Sequence, residues 1–284
     1  MSIVSVIIPV WNRADVIAAA VDSVLAQTVD GWSVQLTVVD DASTDDLSGA
    51  LRPYGERLAC IRHETNKGAA AARNTGIAAA KGDLIAFLDS DDVWLPGKLA
   101  IQIAFLVKTG YAATCTACHL ARPGAPDQLW PQYRTGAITR SQLVWGCFLS
   151  PGTTMLCRPQ VFDAIGVFDT DLARHEDWDW LLRFTAQNEL GFLAEPLARR
   201  EPSPYANAQQ VLSVLEAMEA KHQGSLPARE RRHFKAALSF EAGAAHYREG
   251  RWGAALRELI RSVWTVPIGH AGVRALLASR LQVR

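Results

Sequence analysis

Three continuous apolar blocks, each breaking off at polar residues, constrain the fold of this chain most. They are Val4-Ser5-Val6-Ile7-Ile8-Pro9 ahead of Trp11-Asn12, Gln35-Leu36-Thr37-Val38-Val39 ahead of Asp40-Asp41, and Leu84-Ile85-Ala86-Phe87-Leu88 ahead of Asp89-Ser90-Asp91-Asp92. Such blocks read as strands buried on both faces, the parallel-sheet pattern rather than the alternating, half-solvated one. Between the first two, Ile17, Ala20, Val21, Val24 and Leu25 recur at helical spacing, which gives strand, helix, strand and a right-handed crossover. The expected fold class is α/β, a Rossmann-like, mostly parallel sheet flanked by helices, with a C-terminal α-helical appendage. In an open parallel sheet the ligand crevice lies beyond the carboxyl ends of the strands. Pro9, Asn12, Asp40, Asp89 and Asp91 are therefore expected to converge although they are distant in sequence.

Asp89, Asp91 and Asp92 repel one another unless something positive sits among them, so a divalent cation carrying a phosphate ligand is the economical partner. That reading points to nucleotide-diphosphate chemistry. With 284 residues, 49% of them hydrophobic, the chain can bury one good core and retain a smaller second unit. Lys and Arg total 29 against 29 for Asp and Glu, and no basic tract marks a nucleic-acid groove, so nucleic acid is not an expected partner. Met1-Ser2-Ile3-Val4 lacks a basic leader region, and no run approaches the roughly 18 apolar residues of a membrane span. A cytoplasmic location follows as the expectation. Five cysteines without framework spacing suit free thiols in a reducing compartment. Cys115-Thr116-Ala117-Cys118-His119 matches the short haem-attachment signature, but it falls in the apolar run 111–120, which reads as a strand. Residues three apart on a strand point to opposite faces, so two small buried thiols are the better reading.

Ser43-Thr44-Asp45-Asp46 has capping-box spacing ahead of a helix through Leu47 and Leu51. Residues 58–63 form a third short strand, Asn66-Lys67-Gly68 a turn, and 69–80 an alanine-rich helix carrying Arg73 and Asn74. Pro96 begins a helix through Leu99, Ile103 and Leu106 that closes before Gly110. The proline- and glycine-rich segment 122–136 reads as a mobile surface loop, 153–157 as a strand and 159–165 as a short helix. Leu181, Leu182 and Phe184 continue a helical pattern that places Glu176 and Asp177 near its N-terminus. Composition changes at Pro202-Ser203-Pro204, setting a domain of residues 1–204 apart from a helical region of 205–284 in which Val211, Leu212 and Leu215 share an apolar face. Gly243, Gly250, Trp252, Ala255, Leu259 and Pro267 resemble one tetratricopeptide repeat of ~34 residues. One repeat makes no solenoid, so a helical hairpin is expected, with partner docking through 205–284 as a lesser reading.

Taken together, Val6-Ile7-Ile8-Pro9-Val10-Trp11-Asn12, Val39-Asp40-Asp41-Ala42-Ser43-Thr44-Asp45, Asn66-Lys67-Gly68 with Ala72-Arg73-Asn74, Asp89-Ser90-Asp91-Asp92 and His175-Glu176-Asp177 follow a known order. Over residues 3 to about 200 the chain resembles the family 2 glycosyltransferases, inverting enzymes with the A-type nucleotide-sugar-binding fold. The resemblance implies that Pro9, Trp11 and Asn12 line a base pocket and that Asp40 accepts a hydrogen bond from the N–H of uracil. Trp11 stands where tyrosine is commoner. Arg73 would face the diphosphate or ribose, with Lys67 a weaker candidate, Asp89 the ribose or a metal-bound water, and Asp91 the metal itself, Mg²⁺ or Mn²⁺. Asp92 is left outside that set as a cap. Asp177 would be the base on the acceptor hydroxyl, with Glu176 orienting the acceptor. Without the resemblance, Asp40 also fits a cap beside Ser43, Arg73 a solvated helix position, and Glu176 and Asp177 a pair complementing a helix dipole.

The implied reaction moves a sugar from a nucleotide-diphosphate sugar, UDP first, to a hydroxyl of a glycan or lipid-linked glycan acceptor. A lipid acceptor allows peripheral association with the inner membrane surface. A sugar-phosphate nucleotidyltransferase is the nearest rival, though Ile8-Pro9-Val10-Trp11-Asn12-Arg13 lacks the glycines that would let backbone approach a triphosphate. A non-catalytic scaffold recruiting partners through the helical tail is a rival of a different class.

Overall fold

Strand and helix alternate through the first ninety residues: β1 (Ser2–Val10), α1 (Ile17–Leu25), β2 (Trp32–Asp40), α2 (Leu47–Leu51), β3 (Leu58–Arg62), α3 (Ala69–Ala79) and β4 (Leu84–Phe87). The four strands pair in parallel in the order β3-β2-β1-β4, with Asp40 beside Arg62, Val10 beside Asp40 and Ile7 beside Phe87. Their carboxyl ends therefore share one edge of the sheet. Val6, Ile8, Val21, Val24, Leu36, Val38, Leu84 and Ala86 form the core beneath it, all buried. On the other face α3 packs so closely on β1 that a Cβ at Gly76 would lie 2.4 Å from Ile7 Cγ2.

The sheet continues through β5 (Val93–Trp94), β6 (Ala113–Leu120), β7 (Gln128–Trp130), β8 (Gly136–Ile138), β9 (Leu156–Cys157) and β10 (Leu190–Arg200), with α4 (Lys98–Thr109) between β5 and β6. Two-residue β9 runs antiparallel between β4 and β6, β6 is parallel to β10, and β10 is antiparallel to β5. This is the mixed, mostly parallel sheet expected of an A-type fold.

Local chemistry overrode the sequence pattern at three places. Residues 153–157 are not one strand: α6 (Pro151–Thr154) precedes β9, because Pro151 starts a turn and the Ser150 carbonyl accepts from Thr153 N, Thr154 N and the Thr154 hydroxyl. The N-cap of α2 is Asp46, which accepts from Gly49 N at 3.0 Å, while the Ser43 hydroxyl is committed to Asn12 N. The segment 122–136 contributes β7, which pairs antiparallel with β6. Among the described residues no cysteine forms a disulfide, and burial pushes the thiols of Cys115 and Cys118 up to about 12 and about 11.

Lys98 is wholly buried on α4, with its Nζ 3.7 Å from the centroid of the Trp94 ring and no hydrogen-bond partner. Desolvation lowers its pKa from 10.5 to about 7. Between those values the unfolded chain holds a proton that the folded chain does not, so the penalty is full below pH 7 and shrinks toward pH 10.5. Lys98→Met is therefore expected to raise the melting temperature, and more at pH 6 than at pH 9, since each pKa unit represents about 1.4 kcal/mol. A pH-independent change in thermal denaturation would contradict this.

The structure, a computed structural model, describes residues 1–202 and 207–266, and these divide into two units. The first comprises Met1–Ile138 and Leu149–Pro202, including α7 (Gln160–Ile165) and α8 (Glu176–Phe184). The second comprises Thr139–Phe148, which includes an α5 turn (Arg140–Leu143), and the described residues beyond 206. Its helices are α9 (Ala208–His222), α10 (Ala228–Arg248) and α11 (Trp252–Thr265). Arg140 pairs with Glu230 at 2.7 Å, Trp145 stacks on His233, and α11 lies against α10 where the Ser262 hydroxyl donates to Ala236 O. Pro267 of the repeat-like pattern lies outside the described residues. Among the described residues no helix is long and apolar enough to cross a membrane.

Candidate active site

The loops after β1 and β2 are stitched together at the edge where the parallel strands end. Asn12 N donates to Ser43 Oγ at 3.0 Å, and Asn12 Oδ1 accepts from Thr44 N at 2.7 Å. Asn12 and Ala42 hold φ of 52° and 62°, a left-handed conformation that non-glycine residues adopt at some strain and that recurs at functional sites. Asp40, buried, accepts from Ser43 N at 2.8 Å and from the Arg62 guanidinium, whose other arm donates to Ser43 O. Asp41 accepts from Lys67 N, Gly68 N and the His63 ring, fixing the turn that opens α3. Pro9 is buried at the end of β1, whereas Trp11 is half exposed beside it. Pro9, Trp11, Asn12 and Asp40 thus lie at one strand-end edge.

β4 delivers the acidic run to the same edge. Arg73 of α3 is 6% exposed and forks between two carboxylates: Nη2 donates to Asp89 Oδ1 at 2.7 Å and Nη1 to Glu176 Oε1 at 2.6 Å. Its bond to Glu176 spans 103 residues of sequence. Its Nε is buried without a protein partner, and its guanidinium stands 5.8 Å from the Phe168 ring centroid. The two bonds and the nearby Asp177 raise the arginine's pKa further, against desolvation.

Asp91 keeps partial solvent access, with Arg13 at 3.8 Å. Burial first, and the charge of Asp89 second, raise its pKa, while Arg13 and Arg200 act to lower it. Asp92 turns inward instead, accepting from Glu201 N at 2.8 Å and from the Thr153 hydroxyl, and burial pushes it up to about 8.

α8 supplies the opposing acids. His175, at φ 62°, precedes the helix, and Asp177 Oδ1 accepts from Trp178 N at 2.7 Å. Burial raises Glu176 and Asp177 above the usual carboxylate range, and the charge of Arg73 is the largest opposing influence on both. Arg200, at the end of β10, acts on Asp91, Asp92 and Asp177 alike. Asp89, Asp91, Glu176, Asp177 and Arg73 are thereby one electrostatic unit.

Arg13, Arg62, Arg200 and Gly152 escaped the sequence reading. Arg13 follows the end of β1, and Arg62 and Arg200 are the last residues of β3 and β10, but only folded geometry selects their partners. Gly152 abuts the site so closely that a Cβ would lie 2.7 Å from Asp89 Oδ2 and 2.8 Å from Arg73 Nη2. Gly152→Ala is expected to displace that ion pair and lower stability by about 1–3 kcal/mol, as overpacking does. A denaturant midpoint equal to wild type would refute the close approach.

Asp91 and Asp89 suit an oxygen-preferring cation such as Mg²⁺ or Mn²⁺, which binds through one or two carboxylates and completes its shell with substrate phosphates and water. Among the described residues no group of three His, Cys, Asp or Glu side chains could hold an ion by itself.

Known proteins resemble this chain in sequence and in fold. The sequence model described as Glycosyl transferase family 2 matches residues 5–166. An uncharacterized glycosyltransferase of Rickettsia typhi is 30% identical over 233 residues, covering 79% of this chain and 71% of that protein. The Escherichia coli UDP-Glc:alpha-D-GlcNAc-diphosphoundecaprenol beta-1,3-glucosyltransferase WfgD is 42% identical over 107 residues, 37% of this chain and 42% of its own length. Among solved structures, S. aureus TarS 1-349 in complex with UDP-GlcNAc superposes with a TM-score of 0.71 at 20% identity, covering 94% of this chain and 82% of that one. The mannosyltransferase PcManGT from Pyrobaculum calidifontis, in complex with GDP-Man and Mn2+, gives 0.62 at 19% identity over 98% and 86%. At those identities the structural likeness establishes the fold.

Proposed function

The chain belongs to glycosyl transferase family 2, and from that premise we propose that it is a metal-dependent, inverting enzyme that moves one sugar from a nucleotide-diphosphate sugar, a UDP-sugar first, to a hydroxyl of a glycan or lipid-linked glycan. The observation that carries the proposal is the fork of Arg73, which sets the acids ending β4 beside the acids opening α8. One pair faces a donor and the other an acceptor.

On the donor side Asp40 receives the N–H of the base while Ser43 and Arg62 hold its carboxylate in place, and exposed Trp11 offers its ring face. Asn12 shapes that pocket by tying its two loops, and Pro9 forms its floor. Asp89, aligned by Arg73, would contact the ribose or a water on the ion, and Asp91 would hold Mg²⁺ or Mn²⁺. When bound, such an ion neutralises charge on the leaving diphosphate. Arg73 serves the donor chiefly through Asp89, since both its arms are engaged by protein carboxylates.

On the acceptor side Asp177 takes the proton of the attacking hydroxyl as that oxygen bonds to the anomeric carbon and the nucleoside diphosphate departs. Its raised pKa makes it a stronger base than an exposed carboxylate. Glu176, held by Arg73, orients the acceptor. The E. coli relative, whose name gives a diphosphoundecaprenol-linked acceptor and UDP-Glc, supports a lipid-linked acceptor here.

Thermal denaturation with a panel of nucleotide sugars, with and without Mn²⁺, tests this. A UDP-sugar is expected to raise the melting temperature only when the ion is present, by about 2.7 kcal/mol of stabilisation at a hundredfold excess over Kd. Asp91→Asn should abolish the ion-dependent part while the protein stays folded. Full transfer by that variant would overturn the metal assignment, and pyrophosphate release from a nucleoside triphosphate and a sugar phosphate would favour the nucleotidyltransferase.

A further inference from the structure

Among the described residues, the outer face of α11 is apolar and exposed. Trp252, Leu256, Ile260, Val263 and Trp264 lie along one stripe of the helix and are 45–82% exposed, while Ala255 and Ser262 on the opposite face pack inward. Tyr247, half exposed, sets the Trp252 ring edge-on at 4.9 Å and extends the stripe onto α10. Exposed Arg257 and Arg261 flank it. Arg261 approaches its nearest acid, Glu258, only at 3.9 Å. The surrounding sequence is as one-sided as the helix. Residues 247–284 contain seven arginines against two glutamates, with no lysine or aspartate, although the whole chain carries no net charge.

We propose that α11 is a docking surface for an anionic phospholipid bilayer, lying in the interface with its apolar stripe among the acyl chains and its arginines among the headgroups. A helix of this kind has a strongly apolar face carrying Trp and Leu, a polar face carrying Arg, and a large segregation between them. Tryptophans at the two ends of the stripe match the preference of indole for the boundary between hydrocarbon and water. Aliphatic Leu256, Ile260 and Val263 lie between the two tryptophans, so the middle of the stripe is surface suited to acyl chains rather than a continuous aromatic platform for stacked bases. The charge complementarity commits the occupant to an anionic surface: juxtamembrane basic residues are attracted there within a Debye length. The proposal stands on the second unit alone and does not depend on the transferase chemistry of the first.

Flotation of the full chain with phosphatidylglycerol–phosphatidylcholine vesicles, and with phosphatidylcholine vesicles alone, tests it. The chain is expected to float with the anionic vesicles, to bind neutral ones about tenfold more weakly and to lose binding in high salt. Leu256→Asp with Ile260→Asp should abolish flotation; because both side chains already face solvent, the variant should keep the wild-type melting temperature. Arg257→Glu with Arg261→Glu should lower binding to anionic vesicles only. Failure of the wild-type chain to float, or equal flotation by Leu256→Asp/Ile260→Asp, would overturn the proposal. So would light scattering that shows a dimer abolished by the aspartates with no vesicle binding, since the occupant would then be a second copy of this chain. Transfer to a short water-soluble acceptor should be unchanged in both variants, which separates a failure of docking from a failure of catalysis.

Discussion

Asp177→Asn is expected to lower kcat by about 10²–10⁴-fold, the range that a positioned general base contributes, while the KM for donor stays within about twofold. Asparagine retains the oxygen that accepts from Trp178 N, so α8 keeps its first turn and the loss reports chemistry rather than folding. The wild-type pH profile should carry the same signature. Asp177 works ionised, and burial raises its pKa, so activity is lost as pH falls through a value above the ordinary carboxylate range. Glu176 and Asp177 both feel Arg73, and the acid limb therefore belongs to the pair rather than to one residue. A variant with wild-type kcat, or an acid limb near pH 4 or below, would remove Asp177 from the role of base.

Arg73→Met should be the most damaging single change to the fold of the site. It leaves Asp89 and Glu176 facing one another without the cation between them, and breaking a buried ion pair from one side costs about 3–5 kcal/mol. The surviving carboxylates should then hold their protons to higher pH, moving the acid limb of activity upward. Arg73→Met with Glu176→Gln removes the more deeply buried of the two charges left without a partner and should recover part of the stability but not the rate. Equilibrium denaturation and pH-rate profiles of the single and double variants read both effects. If the single variant were as stable as wild type, Arg73 would not be the clasp between β4 and α8.

Several elements were legible because their signals are local. The blocks around Val6, Val38 and Ala86 are apolar at most of the positions that the sheet buries, with Ser5 and Thr37 the small polar exceptions, so strand identity and parallel pairing follow from pattern alone. Glu176 and Asp177 open a helix whose later residues repeat at helical spacing. Segment 153–157 failed for an equally local reason read too broadly: β-branched threonines suit strands, but Ser150 and Pro151 give the backbone a tighter alternative. Asp46 displaced Ser43 as the helix cap because the Ser43 hydroxyl and backbone serve Asn12, Asp40 and Arg62 in three separate bonds.

Residue order within a few turns of chain suffices for the alternation of strand and helix, the acidic endings of β2 and β4, and the family. Folding alone set Arg73 between Asp89 and Glu176, Arg62 on Asp40 and Gly152 against Asp89, and left the stripe on α11 exposed among the described residues. Spacing announces which side chains share a face of one element. Which charges meet, and which apolar faces stay in water, depends on elements brought together from as much as a hundred residues apart.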